Sequence, residues 1–219
     1  MATANELLIK ALISIIESKD LTEEFHCEKV CRFTKVMLEK VMLYCPEYHL
    51  TEKDCEEITF AARLHDIGKI TVPDRILQKP GRLTFDEFQI VKNHTRKGRQ
   101  IFDRVLKTMS KEDEDYSLYS RCAEVSMYHH ERYDGEGYPA KLKQDEIPIS
   151  AQIVGLADAY DALIGERIYK PAYDRDEAFN MIIEGQCGIF NPRLIEIFSM
   201  VRMELEDIDE NIKEKVAQE

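Results

Sequence analysis

The sequence predicts an all-α fold, a single-domain bundle of about seven to nine helices, and three observations carry that prediction. Apolar residues recur three or four positions apart through most of the chain, as in Leu8, Leu12 and Ile15, and again in Val30, Phe33, Met37 and Val41. No convincing stretch alternates apolar and polar residues with the period of two that a half-buried strand needs. Helix-start signals repeat, in Thr84-x-x-Glu87, Asp174-x-x-Glu177 and Asn191-Pro192.

Taken in order, the two apolar stripes place helices near 3–18 and 24–43, and Ile58, Ala61, Ala62 and Leu64 place a third near 53–66. Thr84 opens a long helix over 85–108, and further helices are expected near 117–132 and 150–164. Asp174 and Asn191-Pro192 open helices over 175–185 and 192–204. Pro73, Pro80-Gly81, Gly135, Gly137 and Pro139 fall in the connections. The segment Glu204–Glu219 reads as a charged, weakly amphipathic helix, more a solvated end than a docking surface. The first helix, Glu6–Ser18, has enough apolar residues to pack on its own bundle, the more frequent outcome, or on a second copy in a homodimer.

The 219 residues, 44% of them hydrophobic, suffice for one substantial core, and no shift in composition marks a second, so 1–219 reads as one domain. Thirty basic against 42 acidic residues leave a net charge of −12. An acidic surface repels long polyanions, which argues against duplex nucleic acid or an anionic membrane as main partner but admits a small anion drawn in by local cations and metals. The longest apolar run near the start, Ala11–Ile16, is broken by Ser14, is too short to span a bilayer, and has neither a cationic leader nor a cleavage site. Six cysteines (Cys27, Cys31, Cys45, Cys55, Cys122 and Cys187) form no Cys-x-x-Cys pair and read as reduced, packed thiols. A cytoplasmic protein is expected.

The chemistry is concentrated in histidines. His129-His130 stand before a glycine-punctuated turn that runs to Gly137-Tyr138-Pro139, and His65-Asp66-Ile67-Gly68-Lys69 follows an apolar helix whose end Gly68 can provide. Of the six histidines, His26, His65, His94, His129 and His130 fall where a bundle can bring them together; His49 does not. Any one of them alone is more often structural than a ligand, but jointly they suit a metal. Asp66 can bridge two cations. Asp158 lies inside the apolar run Ile153–Ala159, where an unpaired carboxylate would cost several kcal/mol and needs a cation. Asp161, three residues on, shares its helix face and either orients a ligand histidine or lytic water, or serves as an ordinary ion-pair partner. Metals so held activate hydroxide for attack on a phosphodiester, with Lys69 placed to hold phosphate.

Together, His65-Asp66-Ile67-Gly68-Lys69, Lys79-Pro80-Gly81-x-Leu83-Thr84, His94-x-x-x-Gly98, the His129–Pro139 stretch, Asp158-x-x-Asp161-Ala162-Leu163 and Arg167-x-Tyr169-Lys170 closely resemble the HD-GYP subgroup of the HD metal-dependent phosphohydrolases, from about His26 to Pro192. The resemblance implies an all-helical fold with a metal centre in its core, and hydrolysis of cyclic di-GMP to linear pGpG, in some members onward to GMP. It carries over the ligands His26, His65 and Asp158 for one metal, His94, His129 and His130 for the other, and Asp66 bridging both. It implies iron or manganese, which the nitrogen and oxygen donors suit without excluding other divalent ions. Lys69, Arg167 and Lys170 match phosphate-holding positions. Tyr138 either lines the substrate groove or meets a partner, since the Gly-Tyr-Pro turn is associated with GGDEF diguanylate cyclase domains. Some members hold a third metal through a glutamate four residues before the first histidine; that position is Thr22 here, with Glu23 and Glu24 displaced, so a dinuclear centre is expected. Thr95 replaces a proline usual after the His94 position, and Asn191 an aspartate usual before Pro192.

Two alternatives stay open: a phosphohydrolase acting on another cyclic dinucleotide or nucleotide, and a non-catalytic adaptor that binds nucleotide or a cyclase. Seven retained ligand positions disfavour the second. Members of the family commonly carry sensory modules for which 219 residues leave no room, so regulation is expected from expression, partners, metal redox state or an oligomer.

Overall fold

The computed structural model describes residues 4–19, 25–165 and 172–216, and every regular element among them is helical. The elements are α1 (Ala4–Lys19), α2 (His26–Tyr44), α3 (Glu52–Ala62), the single turn α4 (Asp74–Leu77), α5 (Phe85–Lys92), α6 (His94–Leu106), α7 (Tyr116–Tyr128), α8 (Ile149–Ile164), α9 (Arg175–Ile183), α10 (Pro192–Met200) and α11 (Arg202–Val216). Short 3₁₀ turns cover Pro46–Tyr48, Ile67–Thr71 and Gln144–Glu146. The all-α expectation holds, with eleven α-helical segments among the described residues rather than seven to nine, because the expected 85–108 helix divides and α4 adds a turn.

Helix α8 is the axis of the molecule. It is buried along nearly its whole length and mostly apolar, so it is stable only when enclosed, and α2, α7 and α9 enclose it. Ile153, Val154 and Leu156 are fully buried, each side chain contributing about 1.5–3 kcal/mol of transfer free energy. Tyr160 packs on Phe33 of α2 (ring centroids 5.6 Å apart) and on Phe198 of α10 (5.2 Å).

The expected starts are built as expected. Thr84 and Glu87 form a reciprocal capping box. Asp174 accepts from the Asp176 N–H, and Asn191 from the Arg193 N–H with Pro192 in the first turn. Asn191 also donates from Nδ2 to Gln152 Oε1 (2.9 Å) and Tyr48 Oη (3.0 Å), bonds that an aspartate could not donate.

Four boundaries differ from expectation. The 85–108 helix breaks at Asn93: His94 Nδ1 and Thr95 Oγ1 donate to the Val91 and Lys92 carbonyls, which a continuous helix would offer to N–H groups four residues on. Helix α3 stops at Ala62, leaving His65 and Asp66 in a turn beyond it, and α7 stops at Tyr128 rather than 132. Gly68 is not the terminator of α3 but part of the next 3₁₀ turn. The tail is docked rather than solvated: after a break at Val201, α11 packs on α2 and buries Leu205, Asp209 and Ile212. Helix α1 packs on its own bundle, through the 67–71 turn and α2, with Ile16 buried. No helix among the described residues is long and apolar enough to cross a membrane.

Candidate metal centre

Five elements meet beside α8. His26 is the first residue of α2, and His65 and Asp66 occupy the turn after α3. His94 opens α6, His129 closes α7 with His130 following, and Asp158 and Asp161 face inward from α8. Two glycines allow this convergence. A Cβ on Gly68 would lie 1.9 Å from the His94 carbonyl oxygen, and one on Gly155 would lie 2.2 Å from that of His129, so the turn approaches α6, and α8 the end of α7, as closely as they do only because these side chains are absent.

The imidazoles are held in one orientation. Nδ1 of His65 lies 2.7 Å from the Ala62 carbonyl, that of His94 2.7 Å from Val91, and that of His129 3.0 Å from Val125. A carbonyl only accepts, so each Nδ1 carries the proton and the Nε2 lone pair is turned inward. His26 is held the same way, with Nδ1 2.6 Å from Asp161 Oδ2. The result is electrostatically unfavourable among protein groups alone, since Nε2 of His26 and of His65 face each other at 3.4 Å and those of His94 and His129 at 3.5 Å. Asp66 lies between the two pairs. Its Oδ2 is 3.3 Å from His65 Nε2 and 3.9 Å from His26 Nε2, whereas Oδ1 is 3.0 Å from His94 Nε2 and 3.6 Å from His129 Nε2. Oδ1 is buried and receives no hydrogen bond.

Charge follows from this crowding. Burial opposes the charge of Asp66 and Asp158, yet Lys69 and His65 beside the first, and His65, His130 and His26 beside the second, hold both carboxyls well below the usual carboxylate range. Burial likewise disfavours a cationic His65, but Asp66 and Asp158 push it up to about 10. A metal ion bound at His65 would displace that second proton. Burial, with His129 and His94 adjoining, keeps His130 neutral, and burial lowers His129 as well. Neutral imidazoles and ionised carboxylates are the protonation states that ligate.

Donor atoms gather in three groups, each within 4.8 Å: Asp66, His94, His129 and His130; His26, His65 and Asp66; and His65, His129 and Asp158. The set fits a metal ion, because inward lone pairs around an unpartnered carboxylate oxygen are stable only with a cation among them. The seven positions expected as ligands from the sequence therefore all come together in these three overlapping groups. His49 ends the 46–48 turn and is exposed.

Of the other expected site residues, Lys69 Nζ lies 2.7 Å from Asp66 Oδ2, and Tyr138 stacks on the His130 ring at 4.7 Å. Asp161 belongs to none of the three groups; it accepts from His26 and pairs with Lys29 Nζ at 2.8 Å, which joins both roles weighed for it. Arg167, Lys170 and Thr22 lie outside the described residues.

Several contributors escaped the sequence reading. Buried Lys29 stands between Asp161 and Asp209 of α11 (3.8 Å), and Asp209 pairs with Arg175 (2.8 Å) and Lys213 (3.0 Å). The signal available was a charged residue in an apolar stripe: Asp209 shares the face of Leu205 and Ile212. Glu131 accepts the N–H groups of Ala140 and Leu142 and so holds the Gly-Tyr-Pro turn, whose Tyr138–Pro139 peptide is cis.

Residues 11–194 match the HD domain family. The chain belongs to that family. Curated relatives include a cyclic di-GMP phosphodiesterase of Vibrio cholerae serotype O1, 38% identical over 91% of this chain and 40% of its own length, and one of Thermotoga maritima, 38% identical over 92% of this chain and 50% of its own. A 3′3′-cGAMP-specific phosphodiesterase of V. cholerae is 35% identical over 76% of this chain and 31% of its own length. The chain thus spans half or less of the length of these relatives. Its fold matches the solved structure of an HDG"Y"P protein from Bdellovibrio bacteriovorus with a TM-score of 0.58 at 19% identity, over 80% of this chain and 51% of that one.

Proposed function

We propose that this HD-GYP domain is a metal-dependent phosphodiesterase that hydrolyses cyclic di-GMP to pGpG, with GMP as the product of a second cut. The observation that carries the reading is Asp66, whose two oxygens each face a separate pair of inward imidazole nitrogens, as a carboxylate shared by two cations would. His26, His65 and Asp158 would hold one ion, His94, His129 and His130 the other, and Asp66 both, with iron or manganese the ions best suited to the family and the donor set. Bound metal supplies an acidified water as nucleophile and positive charge against the phosphorane-like transition state. Water adds across one P–O3′ bond, its oxygen going to phosphorus and its proton to the leaving 3′ oxygen.

Around that chemistry the chain's residues bind and orient. Lys69 Nζ, already 2.7 Å from Asp66, is placed to hold a non-bridging phosphate oxygen. Arg167 and Lys170 join it as phosphate ligands by their position in the sequence motif. Asp161 keeps the His26 ring turned so that Nε2 faces inward. Tyr138, stacked on His130, lines the entrance. Six cysteines, none of them in a disulfide, suit the reducing cytoplasmic setting proposed for the chain. A second reading, a different cyclic dinucleotide as substrate, is favoured by the relatives named for 3′3′-cGAMP.

The test is anaerobic purification with elemental analysis, then incubation with cyclic di-GMP and chromatography, beside Asp66→Asn. About two metal ions per chain and formation of pGpG or GMP are expected. Asp66→Asn should lose metal and at least about 100-fold in turnover, more than an outer-shell change costs. Metal without cyclic di-GMP cleavage moves the assignment to another cyclic dinucleotide; neither metal nor cleavage ends the phosphodiesterase reading.

A further inference from the structure

A cavity of about 440 Å³ opens beside the metal centre, lined by Lys69, Ile76, Lys79, Arg82, Phe85 and Phe88 among others. Two of its lining residues, Lys69 and Phe88, lead towards the centre. On one wall stands Lys69, which reaches Asp66. Phe88, on another wall, lies under Lys92 Nζ (4.7 Å), which stands outside the cavity and also lies over the ring of Tyr138 (4.8 Å), itself stacked on the metal-group residue His130. A substrate whose phosphate sits beside Lys69 would therefore have this cavity next to it.

The lining selects the part of the substrate that enters. Phe85 is 76% exposed and Phe88 43%, so two aromatic rings are kept at the surface beside cations. A nucleobase gains from such rings by stacking, whereas a phosphate gains only from the cations. The cations are not equivalent. Lys69 faces Asp66, Lys79 pairs with Glu87 at 2.6 Å, and Arg82 makes no ion pair among the described residues. A guanidinium fits the O6 and N7 acceptors of guanine as a bidentate donor, while adenine offers N7 beside an N–H donor that repels it.

We propose that this cavity is the base subsite of the domain, with Phe88 stacking on a guanine and Arg82 reading its O6/N7 edge, so that the cavity sets the preference for guanine over adenine. The proposal rests on the phosphodiesterase reading above.

Titrations of cyclic di-GMP and cyclic di-AMP into the wild-type protein, Arg82→Ala and Phe88→Ala test it, beside product chromatography of the wild type. Both side chains are exposed, and matching thermal melts would confirm that the variants fold. Arg82→Ala should weaken cyclic di-GMP by about 10- to 100-fold and cyclic di-AMP by no more than about twofold. Phe88→Ala should weaken both by about tenfold. Equal losses for both ligands in Arg82→Ala, with Phe88→Ala unchanged, would make the cavity a phosphate site and overturn the proposal. Wild-type cleavage of cyclic di-GMP with unaltered binding in both variants would overturn the subsite alone. A wild type that neither binds nor cleaves any cyclic dinucleotide would overturn the phosphodiesterase reading and the subsite together.

Discussion

Asp161 separates ligation from orientation at the scale of one side chain. It contacts His26 at Nδ1, on the far side of the ring from the convergent Nε2 atoms, and holds Lys29 with its other oxygen. Asp161→Asn still accepts from His26 but loses its charge, so metal affinity should fall by about 10- to 100-fold, the usual cost of weakening an outer-shell partner. A chelator competition titration reads this directly, and unchanged affinity would remove Asp161 from the site. Lys29 is the counterpart in stability. Replacing it by methionine leaves Asp161 and Asp209 buried without their shared cation, and Lys29→Met should cost about 3–5 kcal/mol in urea unfolding. These roles were unequally legible. Histidines and carboxylates announce themselves by residue type, so the convergent set could be named from the sequence, but a lysine reads as solvent-exposed until the fold encloses it.

Among elements, the close crossing of α7 and α8 at Gly155 places His129 and His130 against Asp158. Gly155→Ala should push the His129 carbonyl away, cost about 1–3 kcal/mol as an overpacked contact, and reduce bound metal in elemental analysis. A variant that keeps full metal content would show that the helices have slack there. Helix existence and the caps at Thr84, Asp174 and Asn191 were readable because they depend on residues three or four positions apart. The break at Asn93 was not readable, because His94 and Thr95 turn onto the preceding carbonyls in a context that the whole site stabilises. The docking of α11 was missed for a similar reason. Its charged residues suggest solvent, yet Asp209 is neutralised by Lys29, Arg175 and Lys213 from elements the sequence does not place beside it.

For the molecule as a whole, the metal centre joins α2, α6, α7, α8 and the turn after α3, so bound metal should stabilise the entire bundle. A ligand at about 100 times its dissociation constant adds about 2.7 kcal/mol. Removal by chelator should lower Tm by several degrees, and readdition of manganese or ferrous iron should restore it; an unchanged Tm would mean that the donors are not occupied. The all-α class was determined by the sequence alone, because helical periodicity is local, and the residues that come together could be named there because histidines and carboxylates declare their chemistry by residue type. Only the tertiary structure decided that Asp66 faces two imidazole pairs, that Asp161 and Lys29 support His26 from behind, and that Arg82 and Phe88 border a cavity beside the centre. Those facts depend on distances between residues far apart in the chain, which packing around α8 sets and no local pattern encodes.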